Sequence, residues 1–216
     1  MKRRQFALGT GMALGGGLGS LVALPACAQG EPVEGKEFTR LNPPVAVSVP
    51  AGKVEVVEFF GYWCPHCAAF EPSLDGWARK LPADVVFRRI PVAFGAPHEP
   101  YQKLYFALEA MGQLDAMHRK VFNAIHVDRM RLDKDAELQK LAQANGVDFT
   151  KLKDTMNSFS VATKCNQAKK AASEYKIDGV PTMGVQGRFM TSVGQAGSHE
   201  GALRVMDGLI QKARKG

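Results

Sequence analysis

The chain has 216 residues, 45% of them hydrophobic and 23% charged, with a formal charge of +7 and four cysteines. These proportions are those of an ordinary globular domain and exclude a disordered, collagen-like or coiled-coil chain as a description of the whole. Four cysteines are too few for a disulfide-stapled miniprotein, and a chain of this length buries a core without staples.

Residues 1–28 read as an export signal. Lys2-Arg3-Arg4 is a basic start, an apolar, glycine-rich run follows from Phe6 to Leu24, and Ala26-x-Ala28 offers small residues for cleavage near Gln29. The run is long enough to span a bilayer, but Gly11, Gly15, Gly16, Gly17 and Gly19 make it a poor spanning helix. Arg3-Arg4-Gln5-Phe6 looks like a twin-arginine export signal, so the Sec and twin-arginine routes both stay open. Leu24-Pro25-Ala26-Cys27 partly resembles a lipobox, in which Cys27 would carry lipid, although proline at its second position is atypical. Cleavage after Ala28 removes three basic residues, no acidic ones and Cys27, leaving +4 and three cysteines. That charge, without a basic stripe interleaved with aromatics, gives no nucleic-acid partner. Thiols outside the cytoplasm tend to be oxidised, which sets the chemical background for the three that remain.

The mature chain opens on a proline-rich extended segment, 31–50, with a short edge strand expected at Phe38–Leu41. Val54–Phe60 (VEVVEFF) is apolar on both faces and reads as a central buried strand. Gly61 breaks it, and Pro65 suits the first turn of a helix running to Lys80. Val85–Ile90 is a second strand. Apolar residues recur at helical spacing over 100–125, and further helical patterns cover 134–144, 150–159 and 161–175. Two strands joined at Gly187, 183–186 and 188–191, form a hairpin, and a last helix covers 200–213. The order β, α, β, helical block, α, β, β, α is an α/β or α+β layering with a helical insertion.

Cys64-Pro65-His66-Cys67 carries the chemistry. Cys64 falls where a helix begins, and unpaired N–H groups there favour a thiolate. Cys67 lies one turn later on the same face, so the two can close a small disulfide, with Cys67 the more buried, resolving thiol. An imidazolium at His66 would stabilise the Cys64 thiolate further, which predicts an oxidising pair. A structural disulfide here would staple almost no loop. Zinc normally takes four ligands, and beyond this pair only Cys165, His98, His118, His126 and His199 are on offer, scattered along the chain. Copper binding by the same motif is the other alternative. A redox pair without metal or resident cofactor is the first reading.

Glu58-Phe59-Phe60-Gly61-Tyr62-Trp63-Cys64-Pro65-His66-Cys67 resembles the active-site segment of the periplasmic thiol:disulfide oxidoreductases of the DsbA type, and Gly179-Val180-Pro181-Thr182 resembles their cis-proline loop. The resemblance covers most of residues 29–216. It implies a thioredoxin fold, a mixed sheet flanked by helices, with thioredoxin-like parts at 29–97 and 161–216 and an inserted helical domain at 98–160. It also implies that the Cys64–Cys67 disulfide passes to reduced exported clients through a mixed disulfide at Cys64, and that a quinone-linked membrane partner of the DsbB type reoxidises a monomeric protein. Pro65, His66 and Pro181 would belong to the catalytic set, and Val180 and Thr182 would bind the client, Val180 through its backbone. Glu58 matches a buried acid that would relay the proton of Cys67. Glu71 matches another family acid, although a solvated helix residue fits equally well there. Arg89 stands where many relatives have lysine. An isomerase or reductase is the nearest alternative, but the segment between Gln29 and Val54 is too short for the dimerisation domain of such isomerases. A noncatalytic metal-binding protein on the same fold is the remaining one. Cys165 has no assigned role and is expected to be buried and inert. Tyr62 and Trp63 are expected as an aromatic rim, and Phe94, Tyr101 and Phe106 as core of the insertion, with part of a client surface as the alternative.

Overall fold

Val54–Phe60 forms a strand, β2, in which every residue is buried. In this computed structural model, which describes residues 30–216, β2 pairs on both edges, parallel with β3 (Val85–Pro91) and antiparallel with β4 (Thr182–Val185). β4 turns back into β5 (Phe189–Ser192), and β5 pairs with a two-residue edge strand, β1 (Thr39–Arg40), giving the sheet order β1-β5-β4-β2-β3. The β4–β5 turn is made by Gln186 and Gly187, both at positive φ, the backbone that a tight hairpin of this hand requires. A Cβ on Gly187 would run into the Val45 carbonyl, so the turn also needs glycine for space. The export signal, its cleavage position and Cys27 lie outside the described residues.

Eight helices flank the sheet among the described residues: α1 (Pro65–Ala78), α2 (Glu99–Ala110), α3 (Leu114–His126), α4 (Asp135–Ala144), α5 (Phe149–Met156), α6 (Phe159–Glu174), α7 (Val193–Ala196) and α8 (His199–Arg214). The continuous pattern over 100–125 is two helices, because Gly112 at φ 67 ends α2 in the left-handed conformation that closes helices. Asp148 and Ser158 start α5 and α6 by accepting hydrogen bonds from the Lys151 and Val161 amides.

Alternate residues of β2 serve two cores. Val57 and Phe59 face one cluster with Leu104, Leu108, Val121, Phe122 and Leu152 of the helical block. Val54 and Val56 face another with Phe70 and Leu74 of α1 and Val205, Met206 and Leu209 of α8. The sheet is therefore covered on both faces, the thioredoxin-like layering with added helices that the sequence implied.

Candidate active site

The site forms where β2 runs out. Gly61-Tyr62-Trp63 lead from the strand to α1, with Cys64 at its N-cap position and Pro65 in its first turn, where a missing N–H leaves no helical bond unmade. Register brings the second motif alongside. β4 starts opposite the end of β2, with Thr182 across from Phe59, so residues 179–181 stand beside Cys64. The Val180–Pro181 bond is cis. The Cys64 thiol donates to the Val180 carbonyl at 3.4 Å, and the Thr182 hydroxyl donates to the Gly179 carbonyl at 2.8 Å. Cys64, Pro65, Cys67, Val180, Pro181 and Thr182 thus come together across 118 positions of sequence.

Cys64 and Cys67 are free, buried thiols driven in opposite directions. Hydrogen bonding from the Cys67 thiol is the largest influence lowering Cys64. Burial opposes it, and the Cys67 and His66 amides and the His66 charge assist, bringing the pKa down to about 6. Burial, first, then the hydrogen bond to Cys64 and the charge of Glu58 push Cys67 far up. Near neutral pH Cys64 is therefore the sulfur that ionises and Cys67 the one that keeps its proton. His66 lies exposed, and its charge ranks behind the Cys67 thiol and the Cys67 and His66 amides in lowering Cys64, a lesser role than the sequence suggested.

Beneath the thiols lies a buried polar chain. Glu58 is 1% exposed, and burial raises its carboxyl to about 8 against the pull of Arg89. Arg89 donates from Nε to Glu58 at 3.1 Å and from Nη2 to Glu71 at 2.9 Å. Glu71 is buried, so the solvated reading of it is excluded. Arg89 keeps the charge that lysine would bring and adds a fork that holds two carboxyls at once. His118 of α3 stands with Nε2 3.4 Å from Glu71 Oε1 and Nδ1 2.8 Å from the Tyr62 hydroxyl. Tyr62 is therefore no rim residue but turns inward and is buried. In the sequence His118 stands only as one of several scattered histidines. Its signal was its place on the apolar stripe of α3, at helical spacing from Leu114, Val121 and Phe122.

The rim is made by Trp63, stacked on His98 with ring centres 3.9 Å apart, and by Phe94 set edge-on to Trp63. Phe94 is 45% exposed, which corrects its expected place in the core, whereas Phe106 is buried and Tyr101 half-buried. Cys165 is half-buried rather than enclosed, and burial raises its thiol pKa. No described helix is long and apolar enough to cross a membrane.

Residues 98–200 match the family model described as DSBA-like thioredoxin domain. The chain is 44% identical over 181 residues to the thiol:disulfide interchange protein DsbA of Bordetella parapertussis, covering 83% of this chain and 86% of that protein. It is 44% identical over 180 residues to the DsbA of Pseudomonas aeruginosa PAO1, covering 83% and 85%. Among solved structures, the crystal structure of Pseudomonas aeruginosa DsbA superposes with a TM-score of 0.79 at 44% identity, covering 84% of this chain and 94% of that one. The oxidoreductase DsbA from Xylella fastidiosa superposes with a TM-score of 0.80 at 30% identity, covering 87% and 100%.

Proposed function

The chain belongs to the DsbA family of thiol:disulfide interchange proteins, and from that premise we propose that it is a periplasmic dithiol oxidase for exported proteins. It is a thiol:disulfide oxidoreductase. The observation that carries the direction is the split between its thiols, with Cys64 brought down to about 6 and Cys67 pushed far up. A thiolate stabilised in the reduced protein makes its disulfide the stronger oxidant.

In the forward reaction a client thiolate attacks Cys64 Sγ, the Cys64–Cys67 bond breaks, and its electron pair passes to the Cys67 sulfur. Glu58, protonated at neutral pH, supplies the proton that sulfur takes up. A second client thiolate then attacks the client sulfur of the mixed disulfide, and Cys64 leaves as a thiolate. The client is oxidised and the pair reduced. The low Cys64 pKa favours that departure. Val180 offers backbone groups to an extended client beside Cys64, with Thr182 bracing the loop. A quinone-linked partner of the DsbB type restores the disulfide, and the protein acts as a monomer with its thioredoxin-like parts at 29–97 and 161–216 and its helical domain at 98–160.

The test is equilibration of the Cys64–Cys67 pair with glutathione buffers, with stopped-flow oxidation of a two-cysteine peptide. An oxidising potential with fast transfer is expected. A reducing, thioredoxin-like potential would overturn the oxidase assignment, and copper uptake without any disulfide transfer would favour a binding protein.

A further inference from the structure

Two buried carboxyls here share one guanidinium. Glu58 from β2 and Glu71 from α1 both accept from Arg89 of β3, at 3.1 Å and 2.9 Å. Such a trio is kept near neutrality at physiological pH by one proton held on one of the carboxyls. The position of that proton decides whether the site works, because Glu58 is the carboxyl whose charge acts on Cys67.

His118 approaches from the helical block. Its Nδ1 lies 2.8 Å from the Tyr62 hydroxyl, and burial holds that phenol in its protonated form. With the ring hydrogen on Nε2 the phenol donates to Nδ1 and the Nε2–H faces Glu71, the tautomer that suits both neighbours while Glu71 is a carboxylate. Nε2 is buried, makes no hydrogen bond and stands 3.4 Å from Glu71 Oε1, the carboxylate oxygen it faces. We propose that His118 is a positioning residue whose Nε2–H stabilises the Glu71 carboxylate and so leaves the shared proton on Glu58, beside the departing Cys67 sulfur. The proposal rests on the oxidase reading. When the Cys64–Cys67 bond breaks, the electron pair goes to Cys67, the Glu58 proton follows it, and the new Glu58 carboxylate is balanced by Arg89.

The neighbouring charges allow this assignment. Glu58 faces Arg89, Glu71 and Cys64, and Arg89 also feels Tyr105 of α2 and Asp75 one turn further along α1. His118 otherwise meets the rings of Phe60, Tyr62, Tyr105 and Phe122. Arg89 is the cation in contact with both carboxyls.

The experiment is single-turnover oxidation of a cysteine peptide by the oxidised full protein, followed against pH. The rate should fall on the alkaline side as Glu58 loses its proton, and titration of the peptide thiol is common to every variant. In His118→Phe the proton shifts to Glu71, so the alkaline limb should move down by about one pH unit and the neutral-pH rate should drop. His118→Gln, which keeps an N–H, should bring the limb back. Glu71→Gln removes the negative charge that helps keep Glu58 protonated beside Arg89, so its limb should also move down, and His118→Phe should add nothing to it. An unmoved limb in His118→Phe, equal shifts in His118→Phe and His118→Gln, or an unmoved limb in Glu71→Gln overturns the proposal. A wild-type protein that oxidises no peptide overturns the oxidase reading instead.

Discussion

Cys64 and Cys67 are the same chemical group three residues apart, and the fold drives the acidity of one up and of the other down. The helix start and His66 are the sources of the thiolate visible in the sequence. The structure adds a larger influence, the Cys67 thiol donating to Cys64, which depends on both sulfurs being buried in one geometry. Cys67→Ala should therefore raise the Cys64 pKa by about one unit and by more than His66→Ala does, measured as thiolate absorbance against pH. The reverse order would make the His66 charge the main source. The motif itself was legible because its residues are local in sequence. The burial of Glu58 was legible because Val54, Val56 and Phe60 share its strand. His118 was not, because its partners Tyr62 and Glu71 lie 56 and 47 positions away and only tertiary packing joins them.

At the level of elements, periodicity found the strands and helices but not every break between them. The apolar stripe of α2 continues through Met111 into Leu114 of α3, so the pattern runs on although the backbone turns at Gly112. The contact between α6 and the sheet was invisible for a different reason. Tyr175, just past the end of α6, packs against β4 where Gly184 has no side chain, and a Cβ there would meet the Tyr175 ring and Val57 Cγ1 within 2.8 Å. Glycine inside a strand marks such a close approach. Gly184→Ala should destabilise the protein by about 1–3 kcal/mol through overpacking, read from urea unfolding monitored by circular dichroism. An unchanged midpoint would mean that the Tyr175 ring can swing away, and its unpartnered hydroxyl would then be the place to look.

For the whole molecule, the redox state and the folding equilibrium are linked through Cys64. The fold class followed from element order and the two motifs, since a thioredoxin-like sheet requires the strand before Cys64 and the strand after Pro181 to be neighbours. The energetic consequence of that arrangement has a definite sign. Folding lowers the Cys64 pKa from 9.0 to about 6, so Cys64 gives the reduced protein stability that is fully present by pH 9 and is lost as the pH falls through about 6, while Cys67, pushed far up, takes stability away only as the pH rises past 9. Three units correspond to at most about 4 kcal/mol. Against this, the disulfide stabilises the oxidised protein by restricting its unfolded chain, by only about 2 kcal/mol for so small a ring. The larger effect wins at high pH and vanishes at low pH, so the two stability curves must cross. Reduced protein should melt above oxidised protein at pH 9 and below it at pH 5, in scans of both forms with the reduced thiols kept under reductant. A melting difference that does not change with pH would mean that Cys64 titrates alike in the folded and unfolded chains, and the thiolate would then have no part in making the disulfide a strong oxidant.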